Sequence, residues 1–299
     1  MRMTCLAMIG VALVTTVAAT SAHADKVRSE TLHVASRGDG IATLVFDKRG
    51  VGDSTGTFVE APDLEVPAAD VIAWVDRLQK RSDIRADAIG VLGWSQGGWV
   101  GPLAASKSED LAFVVAISGP GVSPLEQNIY DKTNQFRAGG ATEDKVEQFS
   151  SVIRSVWTYL VTGGGRDEAQ AAWDAVAGKG WFDRGYNGPP MMDRDLVLRD
   201  PRMMSYVAHS SYEPAPILAK LAIPMLAVFG SDDTIVPVKR SVAVMREAFA
   251  RGGNDGLTVR VFEGGDHGIR VAEADGTRQM APGFLDFVVG WVADVAGEE

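Results

Sequence analysis

Ser95 carries the residue pattern that most directly implies chemistry. It lies in Ala88–Gly98, AIGVLGWSQGG, with Gly93 and Gly97 two positions to either side. An apolar run leads in, small residues make the turn, and a second apolar stretch follows. This is the G-x-S-x-G pattern of a strand–turn–helix elbow, whose tight reversal lifts the hydroxyl clear of a sheet. A side chain at either glycine would collide with the neighbouring strand or helix. A serine hydroxyl is a weak nucleophile until a base takes its proton, so other parts of the chain must supply a base and an acid. The competing reading is a serine in an ordinary Gly-rich turn, which requires neither.

Histidine suits the base because its unperturbed pKa lies near neutrality. Beyond Ala24 the candidates are His33, His209 and His267. His33 lies in an ambiguous segment and His209 ends a helical pattern. His267 sits in Glu263-Gly264-Gly265-Asp266-His267-Gly268, directly after an apolar strand pattern. Catalytic groups gather outside the C-terminal ends of strands in open α/β sheets, which favours His267. The acid that orients such a base is expected in Gly230-Ser231-Asp232-Asp233, which follows the preceding apolar run. Asp232 and Asp233 both qualify. Asp266 adjoins His267 in sequence, and neighbouring side chains diverge. Serine, aspartate and histidine then follow one another in the chain order expected of an elbow nucleophile, and the backbone amide of Gln96 is the expected oxyanion donor.

The elements that must position these residues alternate. Ile41–Phe46, Ala88–Gly93 and Leu111–Ser118 read as buried strands. A helix beginning near Pro67 carries Val71, Trp74, Val75 and Leu78, and another follows the elbow to about Ser106. Strand, helix, strand, helix, strand indicates a parallel sheet covered on both faces. From Gly119 to Leu218 strand signal is scarce. Helices are expected near Thr142–Leu160, Asp167–Val176 and Asp200–Ser210, as a helical insertion. Met191-Met192 and Met203-Met204 could line an apolar pocket there, although methionines commonly fill core gaps. Alternation resumes with a strand at Ile223–Phe229, a helix from Pro237 to Arg251, a strand at Leu257–Phe262 and a last helix carrying Phe284, Phe287, Val288, Trp291 and Val295. Gly50, Gly52 and Gly56 lack the spacing of a dinucleotide loop and read as a tight structural turn. No cofactor and no metal site are expected.

Composition sets wider bounds. The chain has 299 residues, 46% of them hydrophobic, and a formal charge of −10. That is ample for a large core, and the acidic balance argues against nucleic acid or an anionic membrane as partner. Residues 1–24 read as a signal peptide: Arg2, an apolar Leu6–Thr20, and Ala22-His23-Ala24 as cleavage site. A periplasmic or secreted chain starting at Asp25 is expected, with no membrane span after cleavage. Cys5, the only cysteine, would leave with the signal. The expected organisation is 25–118 and 219–299 as the two parts of a core, with 119–218 inserted between them.

These motifs resemble the α/β-hydrolases, and most closely the bacterial esterase and serine-aminopeptidase-like branch. The branch's D-x-R-G-x-G-x-S turn matches Asp47, Arg49, Gly50, Gly52 and Ser54. Its G-x-x-D-x-x-V-P matches Gly230, Asp233, Val236 and Pro237, which selects Asp233 over Asp232, and its final histidine matches His267. The resemblance implies a three-layer α/β sandwich with a mostly parallel sheet and a helical cap at the insertion. It also implies a serine hydrolase acting on a small-molecule ester or peptide through Ser95, Asp233 and His267. Family members carry further strands and a His-Gly loop upstream of Ile41–Phe46, and that loop usually gives a second oxyanion donor. Asp25–Gly40 contains no His-Gly pair, so the fold is expected to be N-terminally shortened, without the strand beside the elbow strand. Thr31–Ala35 could partly replace that strand, the remaining strands could close the gap, or the gene product is truncated. A catalytically impaired binding protein is the alternative from a different class.

Overall fold

The computed structural model describes residues 3–9, 41–183, 191 and 193–297. Its six-stranded sheet consists of β1 (Met3–Ile9), β2 (Ile41–Val45), β3 (Ile84–Trp94), β4 (Phe113–Ile117), β5 (Met225–Gly230) and β6 (Leu257–Phe262), in the order β2-β1-β3-β4-β5-β6. Every pairing is parallel. Side chains alternate between the faces, as strand geometry requires. Along β4, Val114 and Ala116 enter one core while Phe113, Val115 and Ile117 enter the other. Along β5, Met225, Ala227 and Phe229 go with the first set, and Leu226 and Val228 with the second. Burial on both faces explains why these strands read as unbroken apolar runs.

Helices cover both faces. α1 (Glu65–Leu78) buries Val71, Trp74, Val75 and Leu78, and α2 (Gly97–Ala105) buries Trp99, Val100 and Leu103 against the first face. Between β4 and β5 the described residues form seven helices: α3 (Pro124–Ala138), α4 (Glu143–Thr162), α5 (Arg166–Asp174), α6 (Gly180–Asp183), α7 (Arg194–Val197), α8 (Pro201–Ser210) and α9 (Pro214–Leu218). Most of this run has a core of its own, in which Phe149, Ile153, Val156 and Leu160 of α4 meet Phe182 and Val207. α9 instead joins the main core through Leu218. α10 (Val238–Gly252) adds Met245 and Phe249 to the first face, and after β6 a hairpin of β7 (Arg270–Ala272) and β8 (Arg278–Met280) leads to α11 (Phe284–Ala296) on the second. The architecture is the expected α/β-hydrolase sandwich.

The place beside the elbow strand is filled by Met3–Ile9. Met3–Ile9, read as the start of a signal peptide, pairs Thr4–Met8 with Ile41–Val45 on one side and Cys5–Ile9 with Ile89–Gly93 on the other. The sheet therefore has a strand between β2 and β3, where a gap was expected. Periodicity could not separate these roles, because a short apolar run fits a buried strand as well as a signal core. Thr31–Ala35 and His33 lie outside the described residues.

Candidate active site

β3 ends in the elbow. Ser95 has φ 52°, in the left-handed region that costs a non-glycine residue free energy. Its N–H donates to the Ile117 carbonyl at the end of β4 (2.9 Å), which ties the turn to the neighbouring strand. The glycines are explained by close approach. A Cβ at Gly93 would lie 2.1 Å from the Gly97 carbonyl oxygen, and one at Gly98 would lie 2.3 Å from the Gly119 Cα. Gln96 is the N-cap of α2, and among the described residues its backbone N–H donates to no protein acceptor. An unsatisfied amide at a helix N-terminus is suited to a developing negative charge.

Two loops bring the acid and the base together at the same edge. After β5, Asp233 is buried with its side chain fully covered. One carboxylate oxygen accepts from the Ile235 and Val236 amides (2.8 and 2.9 Å), and the other faces His267 Nδ1 at 2.8 Å. The loop carrying His267 is joined to it by Ser231 N–H to Phe262 O and Asp232 N–H to Gly265 O. A Cβ at Gly230 would lie 2.2 Å from the Gly265 oxygen, so the contact needs glycine. Asp232 is exposed and accepts from Ser231 Oγ. Asp266 binds the Gly268 and Arg270 amides and pairs with Arg278 at 2.9 Å. Of the acids weighed for the base, Asp233 is the one that meets it.

Ser95 and His267 converge on the end of β4. Ser95 bonds Ile117, and the next residue, Ser118, donates its hydroxyl to the His267 carbonyl (2.9 Å). Ser118 (φ 49°) and Ile269 (φ 53°) are the other non-glycine residues with left-handed backbone among those described, so all three lie at this site. The Ser95 hydroxyl does not hydrogen-bond His267 here; such nucleophile–base contacts often tighten only when substrate arrives.

Two further parts were not read from the sequence. From α3, Gln127 Nε2, Tyr130 Oη and Asn134 Nδ2 donate to the carbonyls of Ile235 (2.9 Å), Asp233 (3.3 Å) and Thr234 (2.8 Å). The signal for α3 was present in Ser123-Pro124-Leu125-Glu126: a capping serine that accepts from the Glu126 amide, with proline in the first turn. The second is Lys48, beyond β2, whose ammonium donates to Gln96 Oε1 (2.7 Å). Its neighbours in the turn are structural. Arg49 pairs with Asp70 through two contacts of 2.5 and 2.7 Å, Ser54 donates to the Asp47 carbonyl, and a Cβ at Gly52 would strike the Asp47 carboxylate.

Under the inserted helices lies a cavity of about 410 Å³, lined in part by Leu125, Phe149, Trp157, Met203, Tyr206 and His209. Met203 is therefore a lining residue, whereas Met204 is exposed and Met191 packs on the helical core. Met192 lies outside the described residues. Burial, with a hydrogen bond to Glu60, pushes the Tyr206 phenol up to about 12.

Residues 28–274 match the family model described as serine aminopeptidase, S33. The chain belongs to the serine aminopeptidase S33 family. It is a hydrolase of the serine class, on the α/β-hydrolase fold. A comparison with curated protein sequences gave no match. Among solved structures, DcsB in complex with its substrate analogue is 18% identical over 99% of this chain and 90% of its own, with a TM-score of 0.52. Acetyl xylan esterase 1 from Thermoanaerobacterium sp. JW/SL YS485 is 11% identical over 98% and 75%, with a TM-score of 0.50. At these identities the likeness is one of fold. The S33 assignment and these two likenesses agree on the sandwich that carries the elbow.

Proposed function

We propose that this S33-family chain hydrolyses a carboxylic ester or amide through an acyl-enzyme on Ser95. The carrying observation is the hydrogen bond from buried Asp233 to half-buried His267 at the sheet edge where the left-handed Ser95 turn ends. His267 Nε2 takes the hydroxyl proton as Ser95 Oγ attacks the carbonyl carbon. The Gln96 amide receives the oxyanion. The imidazolium returns the proton to the leaving alcohol or amine, and water repeats the sequence to release the acid. Asp233 holds the proton on Nδ1, which leaves Nε2 free to act as base. The cavity beneath the inserted helices offers mixed walls, with Phe149 and Trp157 beside Glu60 and Lys132, for one arm of the substrate.

The family description favours an amide as the bond cleaved, on the same residues. An aminoacyl 4-nitroanilide and a 4-nitrophenyl ester, compared on one preparation, separate the two. The decisive experiment labels the full chain with a fluorophosphonate and follows 4-nitrophenyl butyrate hydrolysis. Labelling is expected at Ser95, and Ser95→Ala is expected to lower kcat by about 10⁴-fold or more. Turnover that survives this substitution, or an unlabelled Ser95, would sink the proposal.

A further inference from the structure

Lys48 is a cation beside the elbow that the proposed triad does not use. It is half-buried, and burial lowers its pKa from the usual lysine value. Among the described residues its ammonium forms no ion pair; its polar partner is the neutral amide oxygen of Gln96. None of the carboxylates nearby pairs with it among the described residues, although Asp63 and Asp70 share its cavity. Asp70 is held by Arg49, Asp63 accepts from the Glu65 amide, and Asp47 accepts from the Asp53 amide. A partly desolvated charge without a counter-charge is costly, and an arriving anion would relieve that cost.

The space around it has the matching shape. A cavity of about 140 Å³ opens at Lys48 and Gln96, walled by Phe46, Pro62, Phe58, Val59 and Val66. Phe58, Val59 and Val66 are 51, 43 and 44% exposed, an apolar rim on the outside of the molecule. Arg49, Asp63, Asp70 and Ser205 also reach its lining, and apolar walls with a few placed polar groups are the ordinary makeup of a small-molecule site. A neutral acceptor is already in place as Gln96 Oε1, so what the ammonium lacks is negative charge. Gln96 also joins this cavity to the reacting centre. Its side chain meets Lys48, while its backbone amide is the oxyanion donor of the proposed mechanism.

We propose that Lys48 and this cavity form a substrate subsite for a carboxylate carried on an apolar stem. The subsite rests on the serine-hydrolase reading for its place in catalysis: one arm of the ester or amide would enter it while the scissile carbonyl sits at Gln96. Lys48 would then select acidic substrates over neutral ones of the same size.

Binding tests this without turnover. Titration calorimetry of the full chain compares 4-phenylbutyrate with its neutral amide, 4-phenylbutyramide. The carboxylate is expected to bind at least tenfold more tightly. Lys48→Met is expected to erase that preference, and Lys48→Arg, which keeps the charge, to retain most of it. A thermal melt of each variant separates lost binding from lost folding. The carboxylate is also expected to slow fluorophosphonate labelling of Ser95. Equal binding of the two ligands, a preference that Lys48→Met keeps, or binding that leaves the labelling rate unchanged would overturn the subsite. If Ser95 is never labelled yet the Lys48-dependent preference is present, the hydrolase chemistry fails and the anion site stands.

Discussion

His209 is, among the described residues, a histidine that the proposed chemistry leaves aside, and its surroundings account for its partly covered position. Its Nδ1 lies 3.0 Å from the Pro62 carbonyl; a carbonyl only accepts, so that nitrogen carries the proton. Its ring meets the edge of Trp99 at 5.7 Å, which joins α8 to α2. Burial lowers its pKa below 6.5, and the Lys48 charge works in the same direction. Between the depressed folded value and the unfolded value, the unfolded chain binds more protons, so stability is present above that window and falls as pH drops through it. One such group gives at most about 1.4 kcal/mol per pH unit. Thermal melts from pH 7.5 to 5 are expected to decline for the native chain and to decline less for His209→Gln, which can keep a donor for Pro62. Parallel declines would show that His209 titrates as it does in the unfolded chain. His267 was separable from His209 in the sequence because its flanking glycines mark a loop after a strand. His209's role as a structural contact was not legible, because Pro62 and Trp99 are distant in the chain.

At the scale of elements, α3 links the inserted helices to Asp233, the proposed acid. Gln127, Tyr130 and Asn134 recur at helical spacing and so share one face of the helix. All three donors end on consecutive carbonyls of the Asp233 loop. A neutral hydrogen bond contributes about 0.5–1.5 kcal/mol, and here that free energy fixes where Asp233, and therefore His267, stands. Tyr130→Phe combined with Asn134→Ala is expected to lower kcat several-fold while KM changes little, with the melt shifted only modestly. A rise in KM at unchanged kcat would place α3 in substrate binding instead. The sequence hid α3 because its residues are mostly polar, so hydrophobic periodicity passed over it, although the Ser123–Glu126 cap marked its start. The β7–β8 hairpin was hidden differently: its strands are short, and the Asp275-Gly276 pair was the remaining turn signal. By contrast β3, β4 and β5 were plain, since strands buried on both faces must be apolar throughout. The proposed nucleophile and base were plain for a related reason, because close-approach glycines flank Ser95 and His267 in sequence.

At the scale of the whole molecule, the position of β1 decides how much of the chain the site requires. Ile9 pairs with Gly93, two residues before Ser95, so β1 flanks the strand that presents the nucleophile. β2 lies on its far side and delivers the Asp47–Ser54 turn together with Lys48. Cleavage after Ala24 and this sheet exclude each other within one molecule. Without β1, the facing backbone groups of β2 and β3 lose their partners, and unmade backbone hydrogen bonds in a buried sheet cost about 1–3 kcal/mol each. Direct closure of β2 onto β3, or Thr31–Ala35 taking the place of β1, could recover them, and closure would shift the Lys48 turn sideways by about one strand spacing, ~4.8 Å. Hydrogen exchange on the full chain is therefore expected to show Met3–Ile9 protected together with β3. A chain lacking residues 1–24 is expected to lose cooperative unfolding and most fluorophosphonate labelling at Ser95. Were the shortened chain to melt and label like the full one, either β2 and β3 pair directly or Thr31–Ala35 stands in for β1. Direct pairing would part Lys48 from Gln96, so that preparation would also lose any preference for a carboxylate, whereas a replacing strand would keep it. Melting, labelling and carboxylate binding, measured together, thus distinguish a sheet built with its first strand from one closed without it.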